Sequence, residues 1–201
     1  MDCFEDVADD ISKAPAIAAV LVRLIESNKT RLRDWRQGCG SSFVGATACT
    51  RFESAYAPEI SIEAYVERVY KFSKASNCVY VIAMIYIDRL IEGEGLVVTA
   101  LNVHRLFITC ILVAAKFYDD EFFKNAFYAT LGGIDASEMN MLEIDLLNMI
   151  KFSLFVSPES YASYKKHLLF EESFGQTLIP PSSPVSIVSE VNVQTSISCL
   201  F

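Results

Sequence analysis

The stretch "LFITCILVAAKFYDD" (residues 106–120) decides the fold. Ten residues, nearly all apolar, run up to a single lysine, Lys116, and acids follow at Asp119, Asp120 and Glu121. A helix that crosses a membrane needs about 20 apolar residues in a row. This run and its companion "CVYVIAMIYI" (78–87) have about half that length. Both therefore read as helices buried on nearly every face at the middle of a helical bundle. The remaining segments should be amphipathic and should cover these two.

The flanking sequence meets that expectation. Ile17, Val20, Leu21, Leu24 and Ile25 recur at helical spacing, which predicts an amphipathic helix over about 14–27. Residues 31–60 hold three glycines, Pro58 and many small polar side chains and read as a loop or linker. Ile62, Tyr65, Val66, Val69 and Phe72 form a one-sided stripe that predicts a helix over 61–74, with Ser61 as N-cap. The helix over 77–92 stops at "EGEG" (92–95). The next starts at Thr99 or a neighbour and runs to about Tyr118. "KNAFYATLGG" (124–133) is a short helix ended by its glycines. Asp135 and Glu138 have capping-box spacing and open a helix to about Phe152. Ser157-Pro158-Glu159 starts a last helix to about Glu172. "KFSLFVS" (151–157) alternates briefly, but its place between two capped helices makes it a linker. The fold class is all-α.

Composition narrows the function. The chain has 201 residues, 52% of them apolar and 21% charged. That suits one packed domain plus tails. A formal net charge of −8 argues against a general nucleic-acid or anionic-membrane binder. The acidic start (Asp2, Glu5, Asp6, Asp9, Asp10) is the opposite of a signal peptide, so the protein is expected inside the cell, in nucleus or cytoplasm. None of the six cysteines forms a Cys-x-x-Cys pair, and Cys78 and Cys110 read as small core residues. No nucleophile elbow, phosphate loop or His-Glu-x-x-His occurs, so the expectation is no catalysis, no metal and no cofactor.

Two charged residues are out of place. On the 135–152 helix, at 100° per residue, Glu143 projects into the arc of Leu142, Leu146, Met139, Met149 and Ile150. A carboxylate there is either paired or reaches past the edge of the core. On the 99–118 helix, Asn102, Arg105, Thr109 and Lys116 fall within about 60° of one another. That polar strip is either the helix's solvent edge or a directed surface. A cation is also welcome at a helix C-terminus. Asp88 closes the other core helix and needs a buried or half-buried partner.

Read together, "YIDRL" (86–90), "LVAAKFYDD" (112–120) and "EMNMLEIDLLNMIKFSLFVSPESY" (138–161) resemble a cyclin box. More narrowly, "SIEAYVERVYKFSKAS", "LNVHRLFITCILVAAKFYDD" and "NAFYATLGGI" look like the plant U-type (P-type) cyclins, which are similar to fungal phosphate-signalling cyclins. The resemblance covers about 58–170 and the N-terminal helix. It implies a single five-helix cyclin box (58–156), preceded by an N-terminal helix and linker (1–57). A trailing helix (157–174) and a tail (175–201) follow.

The resemblance also implies a role. The chain would bind and activate a cyclin-dependent kinase as a 1:1 heterodimer, in the cell cycle or in nutrient and phosphate signalling. Lys116 and Glu143 match the family's kinase-contact lysine and glutamate, each bonding backbone groups that flank the kinase's regulatory helix. Phe117 and Leu147 would supply apolar contact area, and Asp119 and Asp120 the rim. Asp88 and Arg89 would be structural. Many cyclins have an early arginine that pairs with this aspartate. Here those positions are Ile60, Ser61 and Ile62, which leaves Asp88's partner open. The first box helix also lacks the tryptophan-containing pattern of the cell-cycle cyclins' substrate-docking patch. Ser183-Pro184 fits a minimal proline-directed phosphorylation site. The alternatives are a cyclin-fold scaffold that activates no kinase and, more remotely, a small helical enzyme.

Overall fold

A computed structural model describes residues 13–37 and 51–174. The described residues form seven helices and no strand. They are α1 (Lys13–Gln37), α2 (Ile62–Phe72), α3 (Asn77–Glu94), α4 (Val103–Tyr118), α5 (Asn125–Gly132), α6 (Ala136–Met149) and α7 (Pro158–Phe174). Five of them, α2 to α6, fall in the interval where five were expected. Ser183 lies outside the described residues.

The two apolar segments are the centre. α3 is buried without interruption from Val79 to Ile87, and α4 from Leu106 to Ala115. They share the most extensive helix–helix contact of the chain. Ala114 and Ala115 are fully buried, and their small side chains keep α4 close to its neighbours just before Lys116. α1 lies on α2 and α7, and α5 and α6 close the other side against α4.

Polar groups tie this centre to the connections around it. Asn28 of α1 is buried and donates to the Val98 carbonyl at 2.8 Å. Asn102 holds the α3–α4 loop from both sides, donating to Val97 O at 2.9 Å and accepting from Thr99 N at 2.8 Å. Ser54 folds the segment before α2 onto the Leu101 carbonyl through its N–H at 2.9 Å and its hydroxyl at 2.6 Å.

Several boundaries differ from the expectation, each for a local reason. α1 continues to Gln37 instead of stopping near residue 27, so residues 31–37 are helical and not linker. α4 begins at Val103, because Thr99 to Asn102 form a turn in which the Thr99 carbonyl accepts from both Asn102 N and Val103 N. α6 stops at Met149 because Lys151 and Phe152 are left-handed, at φ 53° and 55°. The capping box is absent: Asp135 is the N-cap but makes no side-chain cap bond, and Glu138 reaches Arg105 instead. Cys110 is buried as expected, whereas Cys78 is only half-buried and its sulfur lies 3.1 Å from the Ser76 hydroxyl.

Asp88 finds its partner in α7. The Tyr164 hydroxyl donates to Asp88 Oδ2, which fastens the trailing helix to α3. Burial raises the Asp88 pKa, and the Tyr164 bond opposes that rise. Arg89, next to it, donates to the carbonyls of Ser153 at 2.5 Å and Phe155 at 2.9 Å. A raised carboxylate pKa means that folding disfavours the ionised form; that cost is absent below the ordinary pKa, grows as pH rises from there and is complete above the folded pKa. Asp88→Asn keeps an oxygen for Tyr164 without the charge, so its melting temperature at pH 7 should equal or exceed the parent's. The advantage should vanish below the ordinary aspartate pKa of about 3.9. Asp88→Ala leaves a tyrosine hydroxyl without its acceptor and should cost about 1–3 kcal/mol in chemical unfolding. A less stable Asp88→Asn at pH 7 would contradict this account.

Candidate functional site

Lys116 sits in the last turn of α4 and Glu143 in the middle of α6. Twenty-seven residues separate them in sequence, yet Lys116 Nζ donates to Glu143 Oε1 at 2.6 Å. Their side chains are 29% and 17% exposed. The pair is therefore neither fully solvated nor sealed. Glu143 does not reach past the core edge into water; its charge is balanced across a helix interface.

A third residue completes the arrangement. Asn125, at the start of α5, uses its amide nitrogen twice, toward Glu143 Oε2 at 2.7 Å and toward Asn140 Oδ1 at 2.8 Å. Both Glu143 oxygens are thus occupied within the chain. An ammonium has three donors, and Lys116 spends one on Glu143. Its other two donors make no hydrogen bond to a described residue.

The polar strip on α4 is an interface. Asn102 and Thr109 are buried, and Thr109 returns its hydroxyl to the Arg105 carbonyl at 2.7 Å. Arg105 Nε donates to Glu138 Oε1 at 2.6 Å. Two ion pairs, Arg105–Glu138 and Lys116–Glu143, therefore link α4 to α6. The strip is not simply a solvent edge: Asn102 and Thr109 are buried, and Arg105 and Lys116 pair with α6.

Apolar side chains next to the pair in sequence are exposed. Phe117 follows Lys116 and is 49% exposed, and Ile144 follows Glu143 and is 51% exposed. Leu147, one turn further along α6, is half-buried. Phe152 is 65% exposed. A left-handed turn projects it, anchored where its N–H donates to the Leu147 carbonyl at 2.9 Å. Two successive non-glycine residues in that region cost about 1–2 kcal/mol each. The turn is held from behind, since the Leu154 carbonyl accepts from Tyr86 at 2.8 Å and from Tyr118 at 3.2 Å.

The acids after Lys116 differ in duty. Asp119 accepts from the N–H of Ser76 at 3.2 Å and from its hydroxyl, which ties the end of α4 to the start of α3. Asp120 is exposed. The sequence reading named Lys116, Glu143, Phe117 and Leu147 as contact residues. It did not name Asn125, a polar residue at an ordinary helix start, nor the exposed Ile144 and Phe152, which no periodicity marks.

Among the described residues no group of His, Cys, Asp or Glu is arranged to hold a metal ion, and no helix is long and apolar enough to cross a membrane. The family model described as Cyclin matches residues 12–154. Curated relatives are plant proteins. Cyclin-P3-1 of Oryza sativa subsp. japonica is 49% identical over 115 residues, 57% of this chain and 49% of that relative. Cyclin-P2-1 of the same plant is 35% identical over 175 residues, covering 87% of this chain and 80% of the relative. Cyclin-U2-1 of Arabidopsis thaliana is 34% identical over 168 residues, 83% of this chain and 74% of the relative. The chain belongs to the cyclin family.

A part-buried ion pair of this kind should show coupling. Lys116→Ala alone leaves the half-buried Glu143 with one donor fewer, whereas removing both groups leaves no charge behind. In urea unfolding the double change Lys116→Ala/Glu143→Ala should cost less than the sum of the single changes. The expected coupling is about 1 kcal/mol, at the upper end of the range for exposed pairs. Additive single effects would show that the pair is not formed in solution.

Proposed function

We propose that the chain is a regulatory subunit that binds and activates a cyclin-dependent kinase, with the surface around Lys116 and Glu143 as the contact. The observation that carries this reading is the half-buried ion pair, with exposed Phe117 and Ile144 directly after its two residues and half-buried Leu147 one turn along α6. A charged pair with exposed apolar neighbours resembles the energetic centre of a protein interface, where polar contacts are flanked by side chains that exclude water. Lys116 offers its two remaining donors to carbonyls beside the kinase's regulatory helix. Charge-assisted bonds of that type are stronger than neutral ones. Glu143 and Asn125 hold the ammonium in place, so little side-chain freedom is lost on docking.

The kinase supplies the chemistry. Docking favours the conformation in which its αC helix is inward and its lysine–glutamate pair and magnesium site are assembled. The chain shifts that equilibrium by the difference between its affinities for the active and inactive forms. The pathway follows from the kinase, in the cell cycle or in nutrient and phosphate signalling. The complex is a 1:1 heterodimer.

Affinity capture of kinases from plant extract by the purified chain tests the reading. The parent protein should enrich a cyclin-dependent kinase and raise its activity toward a peptide substrate. Lys116→Ala should reduce capture by tenfold or more, as expected for loss of a charge-assisted bond of about 1.5–3 kcal/mol. Helicity by circular dichroism should not change. Capture that survives the double change Lys116→Ala/Glu143→Ala would remove the site, and capture without any gain in kinase activity would favour a scaffold.

A further inference from the structure

α5 gives the Lys116–Glu143 pair one side chain, and its amide nitrogen is spent entirely inside the chain. Asn125 is half-buried at the first position of α5. Its nitrogen donates to Glu143 Oε2 at 2.7 Å and to Asn140 Oδ1 at 2.8 Å. Asn140 and Glu143 are three residues apart on α6, so they share a face. The charge on Glu143 orders this chain of groups. A carboxylate only accepts, so Asn125 turns its nitrogen toward Glu143. Both N–H bonds of that nitrogen are then used, and Asn140 presents its oxygen.

α5 is seated at its other end. Tyr128 and Ala129 are buried. A methyl group on Gly132 would lie 3.2 Å from the Ile108 side chain of α4, so the two helices approach closely there. A helix of eight residues, about 12 Å long, therefore holds Asn125 at a set distance from α4. Lys116 needs such help. Its ammonium stands on a flexible four-carbon stem. The 2.6 Å bond to Glu143 Oε1 is its one hydrogen bond to a described residue. Where that oxygen lies decides where the ammonium points. The Glu143 carboxylate turns easily about its terminal bond, and the Asn125 bond on Oε2 stops that turning. Asn125 thus sets Glu143, and Glu143 sets Lys116.

We infer that Asn125 is a positioning residue for the Lys116 ammonium, acting through Glu143, and that Lys116 alone of the three meets the partner. This role takes the kinase contact proposed above as given. It departs from the resemblance, which implies that the lysine and the glutamate each bond the kinase. Here one Glu143 oxygen serves Lys116 and the other serves Asn125. Glu143 is also the less exposed of the pair, at 17% against 29%.

Two measurements test this. The first needs no kinase and follows the Lys116 Nζ–H signal by nitrogen-15 NMR in the full chain. The bond to Glu143 should slow its exchange with water, and Asn125→Ala should speed that exchange severalfold. Asn125→Asp, which keeps the size but donates nothing at neutral pH, should do the same. The second is a double-mutant cycle on affinity for the captured cyclin-dependent kinase. Asn125→Ala should weaken binding about fivefold, the cost of ordering one long side chain on docking. In a Lys116→Ala background, neither Asn125→Ala nor Glu143→Ala should weaken it further. Equal losses in both backgrounds would overturn the inference, because a purely structural role or a direct Glu143 contact acts without Lys116. Unchanged Lys116 exchange in both Asn125 variants would overturn it too. Should Lys116→Ala itself leave kinase affinity unchanged, the kinase contact falls, and the exchange measurement alone decides the part played by Asn125.

Discussion

Everything else in this chain follows from having two neighbouring helices that water does not reach. α3 and α4 are buried along most of their length, so any polar group on them must be satisfied inside the protein. Tyr86 and Tyr118 donate to the Leu154 carbonyl. Arg89 holds two carbonyls of the 153–155 segment. Thr109 bonds back to its own helix. Arg105 and Lys116 are left, and α6 supplies a glutamate for each. The outer helices are not merely a cover; their polar residues answer demands set by the core pair.

That demand also explains why the site is rigid and yet accessible. Lys116 lies at the end of α4, where burial gives way to solvent. Fully buried, an ion pair there would face a desolvation cost that often exceeds its Coulomb gain; fully exposed, it would be worth little. At 29% and 17% exposure the pair lies between these limits. Asn125 completes the carboxylate's bonding and so fixes its plane. The strained Lys151–Phe152 turn persists because the residues after it are clamped from α3 and α4. Strain kept in place by its surroundings is a mark of functional surfaces, and here it projects a phenylalanine into water.

How much of this was legible in the sequence depended on range. The helices were readable because stripe and turn signals are local, and "CVYVIAMIYI" and "LFITCILVAA" identified the core pair from apolarity alone. Lys116 and Glu143 were each visible as misplaced charges on a helical wheel. Their pairing was not, since a wheel shows a face but not what lies against it. For the same reason a wheel could not show that the α4 strip pairs with α6. Asp135 and Glu138 have the spacing of a local cap, yet Glu138 went to Arg105, 33 residues away. A longer-range ionic partner overrode the local motif. The end of α1 was missed because "TRLRDWRQ" (30–37) has no apolar stripe to follow, although several of its residues are good helix formers. Asp88 was known to need a partner, but 76 residues separate it from Tyr164, and nothing local marks a tyrosine as its donor.

The same constraint separates the two arginines on either side of Tyr65. Arg105 belongs to a core helix and found its acid on α6. Arg68 belongs to α2, a one-sided helix whose opposite face is open to water. The core places no demand on α2's outer positions, so folding alone does not require Arg68 to be paired. Yet it is half-buried, stacked on a fixed ring and left with an unserved Nε. The ring itself holds the guanidinium there, since a cation over an aromatic face is attracted to it. Within one fold, then, a charge matched by a partner reports how the helices are joined. A charge without an acid beside it rests here on the ring beneath it.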